Sequence, residues 1–347
     1  MSHAADELAF AIRPLSREDL PGVVEIDAAL EGRSRRTYIE RRLAAALREP
    51  ALHAQFAACD DAGLAGYILA RVLQGEFGGS APALRLELVG VRGELRRRGA
   101  GRQLLEALAQ WAARHGIREL RTSAHWTNGQ MLAWLATMDF RLAPELVLGL
   151  PVAQAPQPEP PALTLADDGT STREVDFGAR EAGNDRERMA RERLEIRTMR
   201  PEDLHEILRI DRAVTGRSRG DYIAARLAEA MEDSTIRVSL AGRIDGAIVG
   251  FAMARADFGD FGRTQPVAVL DTIGVDPDYA RRGFGRALLA RLFDDVAQLQ
   301  ARRVETLVRV GNLELLGFFQ RVGFAPSQRL AFVREAAAGR SPASGSA

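Results

Sequence analysis

The stretch Val269–Val296, VLDTIGVDPDYARRGFGRALLARLFDDV, decides how the rest of this 347-residue chain is interpreted. It opens with a short apolar run, interrupted by one acidic residue, that predicts a buried strand. A turn follows, in which Pro277 fixes the backbone angle φ. Apolar residues then recur at helical spacing as far as Val296. The stretch therefore predicts a strand, a glycine-containing loop and an amphipathic helix.

The loop between this strand and this helix has the composition of an anion-binding site. The first turn of a helix leaves backbone N–H groups without partners, and these groups favour a negatively charged ligand. Glycine allows the backbone to approach a phosphate closely, and arginine adds charge-assisted donors. The residues predicted to hold a pyrophosphate are Arg281, Arg282, Gly283, Phe284, Gly285 and Arg286.

Two common phosphate motifs fit this loop poorly. A Walker loop needs a lysine, whereas all 47 Lys-or-Arg positions of the chain are arginine. A dinucleotide fingerprint needs a third glycine where Leu288 stands. The stretch instead resembles motif A of the GNAT superfamily of N-acetyltransferases, whose [Q/R]-x-x-G-x-[G/A] loop holds the pyrophosphate of acetyl-CoA. Asn312, followed by Gly323-Phe324, resembles the N…GF pattern of that family's motif B.

Length and composition predict a soluble protein of about two domains. The hydrophobic content of 46% is ample for packed cores, and the formal net charge of zero gives no reason to expect nucleic acid or an acidic membrane as a partner. The single cysteine, Cys59, fits a reducing compartment. Neither a signal peptide nor an apolar run of membrane-spanning length is evident. We therefore expect a cytoplasmic protein.

The chain contains an internal repeat with a constant offset of 184 residues, from position 12 to position 196. Gly32-Arg33-Ser34-Arg35 recurs as Gly216-Arg217-Ser218-Arg219, and Arg97-Arg98-Gly99 recurs as Arg281-Arg282-Gly283. A period of this size corresponds to a whole domain rather than to a solenoid unit. The chain is therefore predicted to be a duplicated domain.

Each copy shows the order β-α-α-β-β-β-α-β-α-β, which resembles the GNAT fold. We expect an α/β protein with two tandem GNAT-fold domains, each a mostly antiparallel mixed sheet flanked by helices. The predicted domains are 1–150 and 193–335, joined by a Pro-rich and charged linker at 151–192 and followed by a disordered tail at 336–347. Because few contacts cross such a linker, a cut near residue 170 is expected to give two soluble halves unless their interface is large. The halves are candidates for an intramolecular pseudo-dimer.

The resemblance implies further residues that bind acetyl-CoA. In the second copy these are Ile273 and Val275, where main-chain N–H groups of the strand would polarise the thioester carbonyl, together with Asn312 and Phe319. In the first copy they are Val91, Arg97, Arg98, Gly99, Gly101 and Arg102.

Asp271 and its counterpart Glu87 are the candidate general bases. Strand alternation predicts that they share a face with Val275 and Val91. In the superfamily an acid of this strand often deprotonates the acceptor amine through water. The alternative is an acid that forms an ion pair with a neighbouring element, although the cost of burying a carboxylate inclines the choice towards function.

The family's usual general acid, a tyrosine seven residues after the motif B asparagine, is replaced by Phe319 in the second copy and Leu135 in the first. A thiolate, with a reference pKa of ~8.5, can leave with help from water. Phe319 is expected to pack beside the pantetheine, and Tyr222 is a substitute proton donor. No histidine has a partner at ligand spacing, so no metal site is predicted.

The Gly-Arg-Ser-Arg loop is the candidate acceptor site. Arg217 or Arg219 would bind a carboxylate of the acceptor or the phosphates of the cofactor. The alternative is structural, with Ser218 capping the second helix and Asp211 paired with an arginine.

The second copy matches the family better, because it keeps the turn Asp276-Pro277 and Gly323, where the first copy has Gly93 and Asp139. The sequence predicts an acetyl-CoA-dependent N-acetyltransferase whose second copy acetylates a primary amine of a small molecule or peptide by direct attack. The alternative is a non-enzymatic acyl-CoA-binding or interaction protein with decayed catalytic centres. The missing tyrosines favour that alternative, whereas Asp271 and the intact loop disfavour it.

Overall fold

The computed structural model describes residues 9–73, 81–156, 194–232, 237–257 and 266–336. The first copy contains β1 (Ala11–Pro14), α1 (Leu20–Glu31), α2 (Arg36–Arg48), β2 (His53–Asp60), β3 (Gly63–Leu73), β4 (Ala83–Val91), α3 (Ala100–Arg114), β5 (Glu119–His125), α4 (Gly129–Thr137) and β6 (Arg141–Pro151). The second copy contains β7 (Glu195–Thr198), α5 (Leu204–Thr215), α6 (Gly220–Glu232), β8 (Arg237–Ile244), β9 (Ala247–Asp257), β10 (Val267–Val275), α7 (Phe284–Gln298), β11 (Arg303–Arg309), α8 (Leu313–Arg321) and β12 (Ala325–Glu335). The predicted α/β class and element order are confirmed.

The twelve strands form one sheet in the order β1-β2-β3-β4-β5-β12-β6-β11-β10-β9-β8-β7. The last strand of each copy has therefore moved into the other copy. Strand β12 pairs with β5 of the first copy, and β6 pairs with β11 of the second. The two exchanged strands also pair with each other, and Leu146 lies opposite Leu330, its equivalent in the repeat. Each copy is completed by a strand of the other.

The exchange also joins the two hydrophobic cores. Phe332 of β12 belongs to the core of the first copy, where it lies with Leu104 and Leu108 of α3. Leu148 of β6 belongs to the core of the second copy, with Phe293 of α7. A cut near residue 170 would leave β5 and β11 with open edges, so the structure gives no support to two independent halves. Of the predicted linker and tail, residues 157–192 and 337–347 lie outside the described residues.

Helices cover both faces of the sheet. Helices α3 and α7 pack on one face, while α1 and α2, and likewise α5 and α6, pack on the other. We call the second face the α1–α2 face in both copies. None of the described helices is long and apolar enough to cross a membrane.

On the α1–α2 face of the first copy, charged side chains lie between the sheet and the helices. His53 of β2, Arg71 of β3 and Arg85 of β4 are successive cross-strand neighbours, and all three are buried. Glu87 forms ion pairs with Arg71 and with Arg42 of α2. Burial, together with the positive charges of Arg42 and Arg71, lowers the pKa of His53 to about 2.

The strand exchange predicts that core substitutions act across the repeat. Phe332→Ala removes a ring from the core of the first copy and should cost about 3 kcal/mol, with faster hydrogen exchange in β5 and α3. Leu148→Ala is the matched control and should loosen β11 and α7 instead. Hydrogen exchange followed by mass spectrometry separates the two patterns. If each variant loosened the copy in which its residue is encoded, the exchange of strands would be refuted.

The burial of His53 predicts a loss of stability in acid. Its pKa is 6.5 in the unfolded chain and about 2 in the fold. Below pH 6.5 the unfolded chain therefore binds more protons, and the free energy of unfolding falls with pH. By pH 5 the loss should reach about 2 kcal/mol. Urea unfolding at pH 7, 6 and 5 should show a weaker pH dependence for His53→Gln than for the wild type. Replacement of the exposed His205 by Gln should leave the wild-type dependence intact, and an equal effect of both substitutions would contradict the assignment.

Candidate active site

Two adjacent parallel strands separate in each copy. Strands β10 and β11 pair only at Val267–Val269 and Arg303–Glu305, and no further pairing follows within the described residues. Strands β4 and β5 pair over the equivalent Ala83–Arg85 and Glu119–Arg121. On its other side β10 stays paired with β9 along its whole length. The edge of β10 that faces β11 therefore lacks backbone pairing beyond Val269, and its peptide groups after Leu270 are available to a ligand.

The candidate bases lie at a β-bulge in the separating strand. Leu270 and Thr272 pair with two adjacent residues of β9, so Asp271 is the extra residue between them. Glu87 is the extra residue of β4 in the same way. Bulges occur beside active sites because they redirect a side chain.

The bulge overturns one prediction about these acids. Glu87 contacts Arg42 of α2, so it lies on the α1–α2 face, whereas Val91 packs against the core on the α3 face. Asp271 lies with Arg255 on the equivalent side, and Val275 packs towards α7. The prediction that each acid shares a face with its valine is wrong, because the extra residue shifts the side-chain alternation by one position.

Both carboxylates are buried and ion-paired. Asp271, 3% exposed, pairs with Arg255 of β9. Glu87, 5% exposed, pairs with Arg42 and, at 3.5 Å, with Arg71. This ion pairing is the structural role considered above, and it satisfies the buried charge. The position of each acid at the start of the open edge is also compatible with a general base.

The glycine loops have the same backbone conformation in both copies. Arg97 and Arg281 have φ of 63° and 62°, and Gly99 and Gly283 have φ of 96° and 85°. Helices α3 and α7 begin at the next residue, so their free N–H groups meet a concave backbone. A left-handed residue at this point favours a bound anion. Both loops therefore share a backbone conformation that is found at anion-binding sites.

The turn ahead of the loop has more side-chain support in the second copy. The carboxylate of Asp276 accepts a hydrogen bond from the N–H of Asp278 (3.1 Å) and pairs with Arg209 of α5 (2.8 Å). Arg92, at the equivalent position, forms no side-chain cap. The two turns nevertheless adopt the same short 3-10 conformation, although Gly93 replaces Pro277.

The loop arginines are arranged around this backbone. Arg281, Arg282, Arg97, Arg98 and Arg102 are exposed, and Arg286 is half-buried. The guanidinium of Arg282 lies 5.3 Å from the ring centre of Tyr279, and Arg286 donates to the carbonyl of Arg321 (3.0 Å). Phe284 packs near Tyr279, with ring centres 6.2 Å apart. These contacts keep positive charge close to the loop.

Two aromatic residues beside the loops were missed by the sequence analysis. A Cβ atom at Gly285 would lie 3.1 Å from the ring of Phe318, and a Cβ at Gly101 would lie 3.1 Å from Nε1 of Trp134. A side chain at either glycine would thus crowd an aromatic ring, in addition to hindering the predicted approach of a phosphate. Each aromatic residue directly precedes the position of the family's tyrosine, so a scan of that position's neighbours would have found them.

Phe319 and Asn312, which were predicted to contact acetyl-CoA, make contacts within the fold. Phe319 is fully buried in the core, with its ring 4.9 Å from that of Phe324, so Phe318 rather than Phe319 faces the loop. Asn312 is the N-cap of α8, where Oδ1 accepts a hydrogen bond from Leu315 (3.1 Å). Whether these residues also contact a cofactor stays a prediction.

The Gly-Arg-Ser-Arg loop is held by a buried ion pair. Arg219 pairs with Asp211 and donates a hydrogen bond to Oγ1 of Thr272 (3.1 Å), which follows the bulge. This arrangement agrees with the structural alternative for Asp211. Tyr222 is 2% exposed and lies 5.3 Å from the Arg219 guanidinium, inside the core. Arg217 is exposed on the loop.

Two other kinds of chemistry are not assembled at this site. The described residues contain no group of three or more His, Cys, Asp and Glu side chains placed to hold a metal ion. Cys59 lies on β2 opposite Ala11 of the edge strand β1, away from the separating strands.

Solved structures share this architecture over nearly the whole chain. A tandem GNAT protein from the clavulanic acid biosynthesis pathway superposes with a TM-score of 0.58 at 18% identity, covering 94% of this chain and 99% of that one. A GCN5-related N-acetyltransferase from Sphaerobacter thermophilus gives a TM-score of 0.56 at 16% identity, covering 94% and 96%. At these identities the similarity concerns the fold.

Curated relatives match shorter segments. Mycothiol acetyltransferase of Clavibacter sepedonicus is 36% identical over 107 residues, or 31% of this chain and 32% of that protein. The alanine N-acetyltransferase of ribosomal protein bS18 from Escherichia coli K12 is 45% identical over 60 residues, or 16% and 38%. The chain thus matches about a third of the length of these relatives.

The model of the Acetyltransferase (GNAT) family matches residues 13–138 and 202–324, more than half of the chain and once in each copy. Both matches end before the exchanged strands β6 and β12. The chain therefore belongs to the GNAT family of N-acetyltransferases, enzymes that take their acetyl group from acetyl-CoA.

Proposed function

We propose that the second copy of this chain transfers the acetyl group of acetyl-CoA directly to a primary amine. The observation that carries the proposal is the open edge of β10, which ends in the loop at Gly283. The pantetheine arm contains two amide groups and can pair with this edge as an added strand. The pyrophosphate then lies on the loop, at the N-terminus of α7.

Direct attack by the amine is supported by the position of the chain's single cysteine. A covalent acetyl-cysteine intermediate needs a thiol beside the thioester. Cys59 lies on β2, near the edge of the sheet in the first copy. The amine itself is therefore the proposed nucleophile, and an N–H group on the open edge of β10 polarises the carbonyl.

Asp271 is the proposed general base. Asp271 lies at the start of the open edge, and its carboxylate can take a proton from the amine through water. The hydrogen bond from Arg219 to Thr272 ties the acceptor-side loop to the bulge that carries this acid. In the first copy the equivalent arginine, Arg35, pairs with Asp27. There Asp27 also accepts a hydrogen bond from the hydroxyl of Tyr67 on β3 (2.9 Å).

Backbone conformation favours the second copy as the catalytic one. Gly323 has φ of 99°, whereas Asp139 adopts φ of 61° at the equivalent position. A left-handed conformation costs a residue with a side chain more than it costs glycine. Together with the hydrogen bond and the ion pair of Asp276, this difference holds the site of the second copy at a lower conformational cost than that of the first copy.

The acceptor is proposed as a primary amine on a small molecule or a peptide. The two curated relatives are named for different acceptors, mycothiol and a ribosomal-protein alanine, and each is matched over a short segment. We further propose that the two copies work as an intramolecular pseudo-dimer, which the shared sheet supports.

Gly283→Asp should abolish acetyl-CoA binding to the second copy, because it places a negative charge where phosphate lies. The matched control is Gly283→Asn, which has the same shape and the same strain at φ of 85° but no charge. Both variants should lose a similar amount of stability, about 1–2 kcal/mol. Calorimetry on the full chain, with Gly99→Asp and Gly99→Asn for the first copy, measures binding. Micromolar affinity retained in the double variant Gly99→Asp/Gly283→Asp, in which the first copy is blocked as well, would remove this loop from the site.

Asp271→Asn should lower kcat by roughly 10²-fold while acetyl-CoA binding persists, because the amide keeps the shape but accepts no proton. Release of CoA in the presence of a panel of primary amines provides the assay. Glu87→Gln is the matched change in the first copy and should have a much smaller effect. A larger effect of Glu87→Gln would show that the first copy is the catalytic one. Turnover at the wild-type rate in Asp271→Asn across pH 6–9 would show that Asp271 has only a structural role.

A further inference from the structure

A buried threonine hydroxyl spans the gap where each strand pair separates. Thr306 of β11 donates a hydrogen bond to the carbonyl of Leu270 on β10, with an oxygen–oxygen distance of 3.1 Å. Thr122 of β5 donates to the carbonyl of Leu86 on β4 at the same distance. Thr306 is fully buried and Thr122 is 5% exposed. The contact is thus the same in both copies.

This hydrogen bond takes the place of the next rung of the ladder. The last backbone pair, Val269 with Glu305, lies one residue earlier on both strands. A further backbone hydrogen bond would keep the two strands adjacent. A side-chain donor instead lets them separate, while the carbonyl of Leu270 still has a partner.

The hydrogen bond also lies directly beside the bulge. Leu270 immediately precedes Asp271, the extra residue of β10. Leu86 has the same relation to Glu87 in β4. A carbonyl fixed at this point limits the rotation of the following peptide group, and it therefore orients the bulged residue.

We propose that Thr306, and Thr122 in the first copy, are positioning residues that fix the closed end of the gap where the thioester lies. The inference rests on the proposed function, because it takes acetyl-CoA to be the molecule that fills the gap. The strand from Leu270 to Val275 spans about 17 Å. The extended pantetheine arm can follow this length from the loop to the closed end. Thr306 then sets the carboxylate of Asp271 relative to the thioester without touching the reacting atoms.

Two ligands separate this role from a general contribution to stability. Acetyl-CoA is long enough to reach the closed end of the gap. Desulfo-CoA lacks the sulfur and the acyl group, so its affinity comes only from the rest of the gap and from the loop. Thr306→Val removes the hydroxyl and keeps the shape, and Thr306→Ser keeps the hydroxyl. Both are made in full-length protein carrying Gly99→Asp, so that only the second copy binds. Thr122→Val with Gly283→Asp gives the matched test of the first copy.

Calorimetry should show that Thr306→Val weakens acetyl-CoA binding about tenfold but desulfo-CoA binding less than about twofold. Thr306→Ser should bind both ligands like the parent protein. The kcat for CoA release with the best amine of the panel should fall in Thr306→Val and recover in Thr306→Ser.

Equal weakening of both ligands, or no weakening of either, would overturn the positioning role. If the parent protein binds and turns over acetyl-CoA, such a result refutes this inference and leaves the proposed function standing. If the protein without any substitution binds neither ligand, the proposed function fails, and this inference fails with it.

Discussion

The edge of β10 that loses its neighbouring strand after Val269 is the feature on which the proposed acetyl-CoA site depends. Backbone N–H and C=O groups of a strand need partners, and beyond the carbonyl of Leu270, which Thr306 binds, the described residues of β11 pair with none of those that face the gap. Water satisfies them without specificity, whereas an extended ligand with amide groups satisfies them in a fixed register. The loop at Gly283 lies at the end of the same edge and adds a site for phosphate. The shape of acetyl-CoA, an amide-containing arm joined to a pyrophosphate, matches these two features in order.

The exchanged strands connect the two gaps. Strand β11 forms one wall of the second gap, and its other edge pairs with β6. Strand β5 forms one wall of the first gap, and its other edge pairs with β12. Each gap is thus bounded by a strand whose position depends on the other copy. A shift of β11 or β5 would be transmitted to β6 or β12, which pair with each other. This coupling gives a physical reason for a copy to persist in the chain even when only its partner catalyses.

Short-range features could be predicted from the sequence, whereas pairing could not. Gly283 was predicted as a loop glycine, and its φ of 85° shows why glycine is needed there. The exchange was missed because β6 and β12 are equivalent strands, so their alternation fits either copy equally well, as in domain swapping. The bulge at Asp271 was missed for a related reason. An extra residue in a strand pair is visible only once the partner strand is known, and no feature of the strand's own sequence marks it.

The two copies agree at the strand edge and loop where we propose that acetyl-CoA binds, and they differ on the α1–α2 face, which carries the proposed acceptor loop. Both have the bulge, the threonine hydrogen bond and the left-handed arginine and glycine in the loop. On the α1–α2 face, in contrast, His53 and Arg85 of the first copy correspond to Arg237 and Val269 of the second. Arg237 also pairs with Glu229 of α6, where the first copy has an alanine. If the proposed sites are right, the duplication has preserved the geometry that holds the cofactor, and the surface that faces the acceptor has been free to change.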